Sequence, residues 1–103
     1  MSWIDVGAEA DLEPGRAIGV RAGAHFVAIA RCEDGVRAVD DVCTHDGAEL
    51  SGGEVEDCEV ICPRHGARFC LRTGAALTPP AYEAIRTYEA KIEGGRIWVR
   101  TDD

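Results

Sequence analysis

Cys43-Thr44-His45 and Cys62-Pro63-Arg64-His65 each set one thiol beside one imidazole, and 16 residues separate the two clusters. Together they can bring two sulfur and two nitrogen ligands to one metal centre. A [2Fe–2S] cluster accepts that set when two His replace two Cys on one iron. A tetrahedral zinc ion accepts Cys₂His₂ as well, but zinc sites commonly group like ligands in C-x₂₋₄-C and H-x₃₋₅-H pairs. Here each pair mixes the two kinds. With one Cys and one His per loop, each loop can bind both irons of a dinuclear centre. Two ferric ions and two sulfides sum to +2, so two thiolates and two neutral imidazoles give a neutral cluster, whereas four thiolates give −2. Reducing a neutral cluster costs less, and His ligation raises the potential to roughly −150 to +300 mV, against about −400 mV for all-Cys plant-type clusters.

Such a centre needs two loops on a rigid scaffold, and the chain supplies strand signals on both sides of each cluster. Asp40-Asp41-Val42 leads into the first; Glu59-Val60-Ile61 leads into the second and Arg68-Phe69-Cys70-Leu71 leads out. Gly47 follows His45 by two residues and Gly66 follows His65 directly; they are either ordinary turn glycines or positions where freedom in backbone angle lets amide N–H groups approach sulfur. Phe26 to Ala30, a turn at Glu33-Asp34-Gly35 and Val36 to Val39 read as one hairpin. The alternating stretch from Ile85 to Glu93, Gly94-Gly95, and Ile97-Trp98-Val99 read as another. Pro14-Gly15 and Arg72-Thr73-Gly74 mark further turns. Glu9 to Leu12 allows one helical turn and nothing supports a long helix. Short strands with frequent turns imply an all-β sandwich or small barrel in a single domain, residues 1–103, with ligand loops at about 42–50 and 61–70.

At 103 residues and 46% hydrophobic content the chain can bury a modest core. No stretch approaches the roughly 18 to 20 apolar residues of a membrane span, and no signal peptide is visible at Met1 to Asp5, so the expectation is a cytoplasmic protein. A net charge of −8 disfavours nucleic acid and anionic membranes. Ten acids between Glu33 and Glu59 face a single base, Arg37. They form either a solubilising surface or a face that steers basic protein partners, while Arg64, Arg68 and Arg72 make the surroundings of the second cluster mixed in sign. Five cysteines is an odd number. Cys32, Cys58 and Cys70 are expected reduced and partly buried, with a pairing of Cys58 left open. His25 reads as a structural or surface residue and Trp3 and Trp98 as core or rim aromatics. No catalytic nucleophile or substrate pocket is evident.

The boxes Cys43-Thr44-His45-Asp46-Gly47 and Cys62-Pro63-Arg64-His65-Gly66 closely resemble the two cluster-binding boxes of the Rieske family, and the likeness continues through Leu71-Arg72-Thr73-Gly74, Pro79-Pro80 and the last hairpin. The resemblance implies an antiparallel β fold with a two-loop tip, covered by a third, proline-containing loop at Pro79-Pro80. It implies one [2Fe–2S] cluster, with Cys43 and Cys62 on the ferric iron and His45 and His65 on the iron that changes valence. Respiratory members carry an extra Cys in each box; Ala48 and Arg64 stand at those positions, so that inter-loop bridge cannot form. Ala67 and Phe69 stand where those members have hydrogen-bonding Ser and Tyr. Fewer donors to sulfur lower the potential, so a low-potential centre is expected, with a midpoint that falls at alkaline pH as ligand imidazoles lose protons.

What the resemblance implies about function is a one-electron carrier rather than an enzyme. Its partners would be a flavin-containing ferredoxin reductase and the terminal oxygenase of a ring-hydroxylating dioxygenase. Three other settings stay open: a small Rieske-like subunit of an oxidoreductase such as nitrite reductase, a ferredoxin of iron–sulfur cluster assembly, and a zinc-stabilised interaction module.

Overall fold

The computed structural model describes residues 2–44 and 47–101. His45, one of the four expected ligands, lies outside them. Among the described residues nine strands form two antiparallel sheets. Six belong to the first: β1 (Ser2–Ala8), β2 (Ile18–Ala22), β3 (His25–Cys32), β4 (Gly35–Asp40), β8 (Thr87–Glu93) and β9 (Arg96–Thr101), in the order β1-β9-β8-β4-β3-β2. The end strands β1 and β2 approach each other, curling this sheet toward a barrel. The second sheet, β5-β6-β7, is small: β5 (Val55–Glu56), β6 (Glu59–Ile61) and β7 (Arg68–Cys70). A single 3₁₀ turn at Glu9–Asp11 stands where one helical turn was expected.

Both expected hairpins form. β3 pairs with β4 from Val27↔Asp40 to Cys32↔Gly35, and β8 pairs with β9 from Glu89↔Arg100 to Glu93↔Arg96. Gly94 and Gly95 turn the second with φ of 61° and 75°, the left-handed pair that matches the twist of a two-residue hairpin. The run Val27-Ala28-Ile29-Ala30 does not alternate, because both faces of β3 are covered. Val27 and Ile29 pack with Leu12, Val36, Tyr88, Ile97 and Val99, while Ala28 and Ala30 face the small sheet with Val39, Leu50, Val60, Phe69 and Leu71. Alanines on that face leave room for the larger side chains opposite. The second cluster of buried residues also holds Cys43 and Cys62.

The cysteine expectation is corrected. Cys32 and Cys58 form a disulfide across 26 residues of sequence, with Cα atoms 5.1 Å apart. The end of β3 and the β5–β6 turn meet at a separation that suits a disulfide, and nothing local in either segment announces the meeting. Cys70 stays outside any disulfide and is partly buried. His25 opens β3 with its ring 5.7 Å from Tyr88. Trp3 is a rim residue with the Lys91 ammonium over its ring, and the Trp98 indole N–H donates to the Glu93 carbonyl.

Candidate metal centre

The two ligand segments share one backbone frame. In the first, Cys43 N–H donates to the Ala48 carbonyl (2.6 Å) and Gly47 N–H donates to the Cys43 carbonyl (2.7 Å). In the second, Cys62 N–H donates to Ala67 (2.7 Å) and Gly66 N–H to Cys62 (2.9 Å). Each loop is thus a six-residue frame opened by Cys and closed by Gly-Ala. The glycines reverse the chain with φ of 78° and 75°, a left-handed conformation that costs residues with a Cβ about 1 kcal/mol or more. A frame with Cys at its first position leaves different gaps for the His: third position in the first loop, fourth in the second.

Position 70 starts a third copy. Cys70 N–H donates to Ala75 (2.9 Å), Gly74 N–H donates to Cys70 (2.7 Å), and Gly74 has φ 80°. The signal was present in the sequence as a thrice-repeated C-x₃-G-A, at 43–48, 62–67 and 70–75. The third copy has no His and was read only as a turn. The Cys70 thiol is held below its ordinary range chiefly by the Thr73 hydroxyl, opposed by burial and helped by the backbone N–H groups of Thr73 and Arg72 and by the Arg72 charge.

Burial separates the two sulfurs from His65. Cys43 and Cys62 are 0% and 1% exposed, inside one apolar cluster. His65 is exposed. Two buried sulfurs at the inner ends of matching loops, with imidazole facing outward, is a donor set suited to a cationic centre at the boundary of core and solvent, because buried thiolates need a compensating positive charge. Among the described residues no three His, Cys, Asp or Glu side chains stand together as a ready metal cage, so the fit rests on the matching loops and their donor chemistry.

Three further contacts seat the loops. Asp41 Oδ1 accepts the N–H groups of Leu50 (2.7 Å) and Ser51 (2.8 Å), tying both ends of the first loop together. Thr44 Oγ1 donates to the Glu83 carbonyl at 2.7 Å, which latches the proline-containing segment 77–86 to that loop. The same segment is tied to β7 by Leu77 N–H to Arg68 carbonyl and Arg68 N–H to Thr78 Oγ1. No sequence signal singled out Asp41 or Thr44 for these roles.

The acidic run is not one open face. Asp34 binds Arg37 and Arg72, Glu56 and Glu59 bind Arg68, Asp40 accepts from Tyr88 Oη, and Asp41 is committed to backbone. Arg68 and Arg72 are thereby offset, leaving a surface of mixed sign. A concavity of about 780 Å³ lies between β4 and β8 against Trp3, Arg37 and Lys91, and Cys43, Cys62 and His65 are not among its lining residues.

A family model described as the Rieske [2Fe-2S] domain matches residues 2–89. The ferredoxin component of the naphthalene 1,2-dioxygenase/salicylate 5-hydroxylase systems of Ralstonia sp is 36% identical over 101 residues, covering 98% of this chain and 97% of that protein. Among solved structures, the ferredoxin of carbazole 1,9a-dioxygenase from Nocardioides aromaticivorans IC177 superposes with a TM-score of 0.91 at 29% identity, covering 99% and 100% of the two chains. A chain from a complex of reduced oxygenase and oxidized ferredoxin in carbazole 1,9a-dioxygenase matches with TM-score 0.83 and 34% identity, covering 94% of this chain and 91% of that one. Among the described residues no helix is long and apolar enough to cross a membrane.

Proposed function

We propose, because this chain belongs to the Rieske [2Fe–2S] domain family, that it is the ferredoxin of a ring-hydroxylating dioxygenase system. It is a one-electron carrier rather than a catalyst. It would deliver electrons to a terminal oxygenase, as the names of its relatives suggest, and receive them from a flavin-containing reductase, as the family resemblance implies. Family membership implies one [2Fe–2S] cluster per chain, which when bound supplies a single reversible redox step. A cytoplasmic location is part of the same proposal.

The ligands we assign are Cys43, His45, Cys62 and His65, on loops 42–50 and 61–70 of one domain. The observation that carries the assignment is the shared frame: two Cys-first, Gly-Ala-closed loops with both sulfurs buried. Backbone N–H groups at the third and fourth positions, which favour the Cys70 thiolate in the third copy, would do the same for the Cys62 thiolate. His65, outside the apolar cluster, would place one imidazole toward a docked partner, and the latched segment 77–86 would screen the first loop from water. Phe69, fully buried beside Cys43 and Cys62, brings no hydroxyl to this neighbourhood, which supports a potential near the bottom of the Rieske range. Phe69→Tyr is expected to raise the midpoint by tens of millivolts, at ~40 mV per kcal/mol for one electron.

Anaerobic purification, iron and acid-labile sulfide assays, and EPR after dithionite test the reading. Two irons and two sulfides per chain are expected, lost in Cys62→Ser. Colourless protein with one zinc per chain would overturn it.

A further inference from the structure

We propose that Cys32 and Cys58 form a second redox site, a two-electron thiol–disulfide pair that dithiols open, and whose state sets how firmly the small sheet is seated on the large one. The inference goes beyond the electron-carrier reading and does not depend on it. Cys32 ends β3 in the six-stranded sheet, and Cys58 sits in the β5–β6 turn of the small sheet. The bond therefore spans the two layers behind the ligand loops. From Cys58 the chain runs through β6, Glu59–Ile61, straight into Cys62. Cys58 also packs in the same buried cluster as Cys62, Phe69 and Leu71. A change at the cross-link thus has a three-residue strand as its path to the second loop.

The turn that carries Cys58 is under constraint. Asp57 and Cys58 have φ of 53° and 58°, left-handed values that side chains with a Cβ disfavour. The disulfide and the hydrogen bond from Leu71 N–H to the Cys58 carbonyl (2.9 Å) hold the turn in place. Opening the disulfide leaves that hydrogen bond and the short β5–β6 pairing, Val55↔Val60 and Glu56↔Glu59, to hold the turn.

Unequal access sets the direction of the chemistry. Cys58 is 5% exposed, whereas Cys32 is partly accessible. An incoming thiolate therefore attacks Cys32 Sγ and forms a mixed disulfide there. The Cys32–Cys58 S–S bond breaks, its electron pair leaves on Cys58 Sγ, and that sulfur takes up a proton. The second thiol of a dithiol then attacks the mixed disulfide and releases Cys32 as a thiol. Two electrons and two protons pass from the dithiol, which becomes a disulfide, to the protein pair. A monothiol completes the sequence only at much higher concentration, because a second molecule of it must attack the mixed disulfide before the neighbouring Cys58 thiol does so and restores the cross-link. Cys70 takes no part. It lies outside any disulfide and outside the buried cluster that holds Cys58.

The cross-link closes a loop of 26 residues. Chain-entropy arguments make its opening raise the unfolding equilibrium constant roughly several hundred-fold, equivalent to a fall of about 10 to 20 °C in melting temperature for a domain of this size. The test uses holoprotein purified without thiols and treated anaerobically with dithiothreitol or, separately, with 2-mercaptoethanol. Each sample is alkylated, mapped without reduction and melted, and visible absorbance is followed in parallel. Dithiothreitol is expected to expose Cys32 and Cys58 to alkylation and to lower the melting temperature to that of Cys32→Ser/Cys58→Ser. Oxidised dithiothreitol is expected to reverse both, and 2-mercaptoethanol to need a far higher thiol concentration than dithiothreitol for the same opening. The wild-type titration stands even where the double variant fails to fold. Two results overturn the proposal: both cysteines alkylated before any dithiol and still so after oxidised dithiothreitol, or a pair that opens with no change in melting. Absorbance reports the ligand loops separately, so failure of the carrier reading has its own signature.

Discussion

Replacing Thr44 by Val removes one hydroxyl and little volume, and the structure says what that hydroxyl holds. Thr44 Oγ1 donates to the Glu83 carbonyl at 2.7 Å, joining the first ligand loop to a segment 39 residues away. Further ties on segment 77–86 lie at its two ends: Leu77 and Thr78 to Arg68, Ile85 N–H to the Gly74 carbonyl at 2.8 Å, and Asp40 N–H to the Arg86 carbonyl at 2.9 Å. Ala81 and Ile85 are buried, so the segment stays docked by apolar contact when the hydroxyl is gone. A partly exposed side-chain-to-backbone hydrogen bond contributes about 1 kcal/mol, which multiplies the local opening equilibrium about five-fold. Hydrogen exchange read by mass spectrometry on peptides covering 81–85 is the assay, since the Ile85 amide reports opening directly. The expected result is a roughly five-fold loss of protection there, with β3 and β9 unchanged and with Thr44→Ser close to wild type. Unchanged protection at 81–85, or an equal loss throughout the sheet, would refute the latch.

Three more outcomes follow from particular residues. Gly74→Ala should destabilise by about 2–4 kcal/mol in thermal or denaturant melts, because its Cβ would meet the Ile85 carbonyl at a positive φ; Gly66→Ala, with open space around the new Cβ, should cost only about 1 kcal/mol. Cys70 should react with iodoacetamide at lower pH than an ordinary cysteine, since the Thr73 hydroxyl, then backbone N–H groups, favour its thiolate; a rate–pH profile of Thr73→Val should shift upward. The Arg37 hydrogen bond, with Arg72 adding to it, holds the Asp34 carboxyl below its ordinary value. A group with a depressed folded pKa stabilises above its unfolded pKa and loses that contribution as pH falls through the folded one. The melting gap between wild type and Asp34→Asn should therefore be full at neutral pH and close in acid below the usual carboxylate range.

What the sequence determined by itself was local. Hydrophobic runs and glycine turns placed the β3–β4 and β8–β9 hairpins, because neighbouring residues set backbone angles and strand faces. The Cys and His spacing named the ligand chemistry, since donor types are carried by single residues. Even the third Cys-first frame at 70–75 was written there as a repeat, although only its hydrogen bonds gave it meaning. Tertiary structure alone decided that Cys32 meets Cys58 and that Thr44 holds Glu83. It also decided that β3 is covered on both faces and that Asp34, Glu56 and Glu59 are spent on arginines. Those pairings join segments distant along the chain, and a contact of that kind depends on which sheets close over which residues, a property no short window of sequence contains.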